Sequence, residues 1–139
     1  MYRCVAEGAI LNSYSRHVLS KCIVVEDDPF WSAEISAALS HANVQILNAQ
    51  DGRQALDLAS RYPDASMVLD LILPEVDGVE VLQKLSEVAP LMRVLAVTGG
   101  GRLGAGFYLK LASTFGAKAQ LAKPFTAQQL IDNWTALAA

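Results

Sequence analysis

The chain has 139 residues, 53% of them hydrophobic and only 18% charged, with a net charge of −3. That length is one domain with room for an ordinary core, and the composition excludes a disordered chain. The acidic balance leaves no basic footprint for nucleic acid, and the apolar runs are too short and interrupted to span a membrane.

Residues 1–20 carry no convincing hydrophobic period, because Ser13, Ser15 and Ser20 break up the apolar positions. They read as an arm, disordered or loosely packed on the body, and the mixed run between Arg3 and Glu7 is no secretory signal. Residues 22–25 are apolar in succession, the pattern of a strand covered on both faces. Asp28 then reads as an N-cap with Pro29 at the first helical position. The helix runs to about Ala42, with Phe30, Ile35, Ala38 and Leu39 inward. Residues 44–49 form a second strand, and 53–61 a helix stopped before Pro63. Residues 66–70, 93–97 and 118–122 complete the strands. Residues 78–88, 107–115 (with Gly116 closing the end) and 126–137 complete the helices. Five strands alternating with five helices predict one α/β domain over residues 21–139, a doubly wound parallel sheet with helices on both faces.

In open parallel sheets, ligands bind outside the carboxyl ends of the strands. The polar residues of interest fall there: Glu26 and Asp27 after the first strand, Asp70 at the third, Thr98 at the fourth and Lys123 at the fifth. Clustered carboxylates repel one another, and a hard divalent cation between them relieves the repulsion. Oxygen ligands without Cys or His select Mg²⁺ or Mn²⁺ over zinc. Cys4 and Cys22 make no disulfide framework, and His17 and His41 are isolated, so a reduced cytoplasmic protein is expected. A fixed lysine charge and a hydroxyl donor beside the acids suit phosphoryl transfer to a carboxylate. Asp70, alone at its strand end, is the candidate nucleophile, and Glu26 with Asp27 the metal-holding pair.

Five signatures occur in order: Val25-Glu26-Asp27-Asp28-Pro29, Leu69-Asp70 with Pro74 and Asp77-Gly78, Ala96-Val97-Thr98-Gly99, Gly116-Ala117, and Lys123-Pro124-Phe125. Together, over residues 21–138, the chain resembles a response-regulator receiver domain of two-component signalling. The resemblance implies a flavodoxin-like receiver fold with strand order 2-1-3-4-5. It implies that Asp70 accepts a phosphoryl group from the phosphohistidine of a histidine kinase or histidine phosphotransfer protein. Asp27 would ligate Mg²⁺ directly and Glu26 mainly through water, with Asp70 and the Ile72 carbonyl as further ligands. Lys123, ahead of a cis Pro124, would pair with the phosphoryl group. Thr98 would swing inward to bond it, repacking the surface of the fourth helix, fifth strand and fifth helix for a downstream protein target. A phosphoacceptor rather than a turnover enzyme is expected, and with the chain ending at Ala139, a stand-alone one. Neither nucleic acid nor membrane is an expected partner.

Two departures qualify this expectation. Gln120 stands three residues before the lysine, where the family usually carries Tyr or Phe. An amide does not fill a hydrophobic slot as a ring does, which motivates an alternative: a receiver-fold binding module with weak or absent switching. Residues 99–106 form a longer, more glycine-rich loop than the family norm, lowering helix propensity at the entry to the fourth helix. That loop reads equally as a partner-adapted surface or a tolerated insertion. A phosphatase of the haloacid-dehalogenase pattern is disfavoured, since Ile72 stands where its second acid belongs. The glycine run lacks the Gly-Lys-Ser/Thr ending of a P-loop. Asp28 and Asp77 read as helix-start residues, Trp31 as an ordinary packing or surface residue, and Phe107, Tyr108 and Trp134 as core.

Overall fold

Apolar residues at successive positions commit a strand to cover on both faces, and the chain meets that demand with helices on either side of one sheet. In a computed structural model, which describes residues 19–138, the strands are β1 (Lys21–Val25), β2 (Gln45–Ala49), β3 (Ser66–Asp70), β4 (Arg93–Thr98) and β5 (Ala119–Ala122). The helices are α1 (Pro29–His41), α2 (Gly52–Arg61), α3 (Gly78–Val88), α4 (Ala105–Thr114) and α5 (Ala127–Thr135), with a 3₁₀ turn at Ala136–Ala138. All strand pairs are parallel and the order is β2-β1-β3-β4-β5, the doubly wound arrangement expected.

Alternate side chains of each strand go to opposite faces. Ile23, Val25, Met67 and Leu69 pack with residues of α2, α3 and α4. Cys22, Val24, Val68 and Val97 pack with α1 and α5, around the fully buried Trp134. Its indole N–H donates to Ser66 Oγ at 3.2 Å, which keeps a polar group satisfied inside that layer. The register pairs Val25 with Leu69, Asp70 with Val97 and Thr98 with Ala122, so the strand ends that carry the polar residues lie level.

The arm read at residues 1–20 lies, up to residue 18, outside the described residues, as do Cys4 and His17. Leu19 is fully buried in the α1–α5 layer, and the Ser20 carbonyl accepts from the Gln45 N–H at 2.9 Å. Two aromatic residues depart from expectation. Phe30 is 61% exposed, because the first turn of α1 starts past the end of β1 and has no sheet beneath it. Phe107 is also exposed, while its neighbour Tyr108 packs on the core. Helix α4 begins two residues earlier than its sequence suggests, because Gly104 turns the chain at φ 87° just before it. Among the described residues, no helix is long and apolar enough to cross a membrane.

Candidate functional site

The crevice at the carboxyl ends of β1, β3, β4 and β5 collects the polar residues singled out in the sequence. Glu26 follows β1 directly, and its N–H continues the sheet by donating to the Ala49 carbonyl at 3.0 Å. The residue is only 2% exposed, its side chain turned into the protein. Asp27 is exposed at the rim, and Asp28 turns away to cap α1, accepting the Phe30 N–H at 2.9 Å. Asp70 ends β3 and is buried, with Oδ1 accepting the Ile72 N–H at 3.0 Å. Glu26, Asp27 and Asp70 each present a carboxylate oxygen, and the three lie within 4.8 Å of one another.

Lys123 reaches this cluster from the end of β5. Its backbone N–H donates to the Thr98 carbonyl at 2.8 Å, and the Lys123-Pro124 peptide is cis. Its Nζ donates to Glu26 Oε1 at 2.6 Å and to Asp70 Oδ2 at 3.4 Å. Burial first, and the neighbouring Asp70 carboxyl second, push Glu26 up to about 7, against the opposite pull of Lys123. Thr98 ends β4, fully buried, with Oγ1 accepting the Gly100 N–H at 3.2 Å. An open groove lined by Glu26, Asp27, Ser32, Asn48 and Gln50 leads to the acids between α1 and β2.

The floor is built by close backbone approach. Gly78 starts α3, and a Cβ there would stand 2.4 Å from the Asp70 carbonyl oxygen, so only glycine fits without movement. The cap on α3 is Asp77, whose Oδ1 accepts the Glu80 N–H at 2.9 Å. Ile72, the expected carbonyl ligand, lies in the loop between β3 and α3, and its side chain is exposed. Gln120 is half-buried in β5, and its Nε2 donates to the Ala117 carbonyl at 2.9 Å.

Sequence reasoning gave Trp31 no more than a packing or surface role. Lys123 Nζ stands 5.3 Å from the centre of its ring, and Phe125 packs on it with centroids 4.7 Å apart. The available signal was an aromatic residue beside each of two motifs, Asp28-Pro29 and Lys123-Pro124, that strand ends bring to one crevice, with nothing to say that ring and ammonium meet.

Three carboxylate oxygens without a sulfur or imidazole ligand, with one lysine among them, suit a hard divalent cation and a phosphoryl group. Residues 22–135 match the family described as the response regulator receiver domain. The chain is similar to response regulator MprA of Mycolicibacterium vanbaalenii, 34% identical over 119 residues that cover 84% of this chain and 49% of that protein. The chain thus spans about half the length of the MprA proteins it matches. It is also similar to sporulation initiation phosphotransferase F of Bacillus subtilis, 26% identical over 81% of this chain and 88% of that one. A crystal structure of a response regulator receiver domain protein from Clostridium thermocellum superposes with a TM-score of 0.77 at 25% identity, over 86% of this chain and 94% of that one.

Proposed function

From the premise that the chain belongs to the response regulator receiver family of two-component signalling, we propose that its acidic crevice accepts a phosphoryl group on Asp70. The donor is the phosphohistidine of a histidine kinase or histidine phosphotransfer protein. Glu26, Asp27, Asp70 and the Ile72 carbonyl would hold Mg²⁺, and the hard, clustered oxygen donors fit that ion. Mg²⁺, when bound, offsets the negative charge of the carboxylates and of the incoming phosphoryl oxygens.

The chain's own residues have separable tasks. An Asp70 carboxylate oxygen bonds to phosphorus as the bond from phosphorus to the donor imidazole nitrogen breaks and that nitrogen takes a proton. The Ile72 N–H fixes the other Asp70 oxygen, which sets the direction of attack. Lys123 supplies a positive charge already held beside Asp70, and Thr98 supplies a hydroxyl donor from the end of the neighbouring strand β4. The observation that carries this reading is Lys123 Nζ bridging Glu26 and Asp70, beside three carboxylates within 4.8 Å.

The experiment is intact mass after incubation with Mg²⁺ and acetyl phosphate or phosphoramidate. A gain of one phosphoryl group is expected, abolished by a chelator and by Asp70→Asn. An unmodified wild-type protein sinks the proposal.

A second reading, a binding module that switches weakly, is favoured by Gln120. Its amide is tied to the carbonyl of Ala117, just before β5, so it has a bond to break before it moves. Amide chemical shifts with and without beryllofluoride separate the two readings. Changes spread over α4, β5 and α5 support signalling through that surface to a protein target, whereas changes confined to the crevice support the weak switch.

A further inference from the structure

We propose that Trp31 is a positioning residue for Lys123, its indole face holding the ammonium at the place from which it serves Asp70. The proposal rests, for its functional meaning, on the phosphoacceptor reading above.

A lysine carries its charge on a flexible four-carbon stem, and that freedom must be removed for the charge to sit ready in a crevice. Three surfaces remove it here. The stem runs beside Gly99, where a Cβ would lie at contact distance, 3.7 Å from Lys123 Cδ. The head donates to Glu26 and Asp70. The remaining side is the Trp31 ring, 5.3 Å from Nζ to centroid, within the range at which the ring quadrupole attracts a cation. With the ring in place, the lysine side chain is only 10% exposed.

The ring is itself fixed. Phe125 packs on it at 4.7 Å with the planes tilted by 44°, and Phe30 meets it edge-on at 5.3 Å. Phe125 stands two residues beyond the lysine, so the loop that delivers the charge also carries the support for the ring. The arrangement solves a problem that the carboxylates alone leave open. Nζ is closer to Glu26 than to Asp70, and Glu26 is also a candidate metal ligand. When Glu26 turns to another cation, the ring still bars the ammonium from swinging out to solvent, and Asp70 is its remaining partner.

The alternative is that Trp31 merely packs on Phe125, and two measurements separate the roles. In metal-free protein labelled with ¹³C,¹⁵N-lysine, the Lys123 ε-methylene resonances are expected upfield through the indole ring current, with Lys21, over the Tyr62 ring, as the other shifted lysine and an internal control. They should stay shifted in Trp31→Phe and fall back among the rest in Trp31→Leu, or in Trp31→Met should the leucine variant not fold. In the second measurement, Trp31→Leu is expected to weaken beryllofluoride binding in Mg²⁺ roughly threefold to tenfold, with most of the loss recovered by Trp31→Phe. In a Lys123→Met background the same substitution should change nothing further. Lys123 resonances that ignore Trp31→Leu, or a full penalty that persists in Lys123→Met, overturn the proposal. Wild-type protein that does not bind beryllofluoride removes the phosphoacceptor reading instead, and the metal-free resonances still decide the role of Trp31.

Discussion

On the β1–β3 side of the crevice, α1, α2 and α3 each start on an aspartate whose side chain accepts a backbone N–H of the first turn: Asp28, Asp51 and Asp77. On the β4–β5 side, α5 has a full capping box at Thr126, but α4 starts at Gly104 with no side-chain cap. The glycines differ in the same sense. Gly52 and Gly78 are wedged against backbone, with a Cβ at either standing 2.4 Å from a carbonyl oxygen, whereas Gly104 and Gly106 face open space and Gly101 meets only side chains, the Tyr108 ring nearest at 2.9 Å. A cap contributes about 1 kcal/mol, and close backbone packing leaves a loop one conformation. The backbone around Asp70 is thus held at several points, while the start of α4 is held by little. Elements that move are drawn from the weakly held end of a structure, and here the two ends are drawn from one rim.

The largest expected effect breaks this comparison on its rigid side. Gly78→Ala forces Cβ into the Asp70 carbonyl and into Leu71 Cα, at 2.4 and 2.5 Å, and both obstacles are backbone. A loss of about 3 kcal/mol in urea denaturation is expected, because overpacked backbone must shift rather than rotate. The displaced strand end also carries Asp70, so its phosphorylation should slow with the loss of stability. A loss under about 1 kcal/mol, within the tolerance of an ordinary surface site, means that the floor yields and the contrast fails.

A second, smaller effect reports the charge stored in the crevice. Glu26 is an acid whose folded value is raised from 4.5 to about 7, so between those two values the folded state holds a proton that the unfolded chain has released. The stability it contributes is complete below the lower value and is lost as pH rises through the upper one. In metal-free protein, unfolding free energy should fall across this window by on the order of 2–3 kcal/mol, and Glu26→Gln should flatten the decline. Equal slopes in wild type and variant, measured by denaturation at the two ends of the window, remove Glu26 as the source.

Much of this was legible in the sequence, for a reason visible residue by residue. β1 and β3 are read correctly because a strand covered on both faces needs apolar residues in succession, and Cys22-Ile23-Val24-Val25 can be little else. The acids and Lys123 follow from standing at strand ends. Phe30 was misplaced because helical periodicity records which residues share a face and not where the sheet stops beneath it. Leu19 gave no signal, as one buried residue has no period. The contact of Trp31 with Lys123 joins residues far apart in the chain, and no local pattern encodes it. The start of α4 was missed because Gly104 and Gly106 read as helix breakers, whereas one forms the turn before the helix and the other lies inside it.

Those two glycines give the finest test of the weakly held side. Gly104 has φ 87° and ψ 155°, a conformation almost confined to glycine, so Gly104→Ala should cost roughly 1–2 kcal/mol although nothing crowds it. Gly106 lies in the first turn of α4, with no atom within 4 Å of an added Cβ. Gly106→Ala should therefore stabilise the protein, by about 0.5–1 kcal/mol, through the freedom taken from the unfolded chain. The sign is the informative part. If the loop is loosely held, the gain should appear as slower amide hydrogen exchange at the start of α4, with exchange around Asp70 unchanged. Slower exchange at both places would mean that α4 and the acidic floor open together, as one cooperative unit. A helix entry uncoupled from the floor can instead change its packing while the carboxylates hold their geometry, as a segment that responds to an event at Asp70 requires.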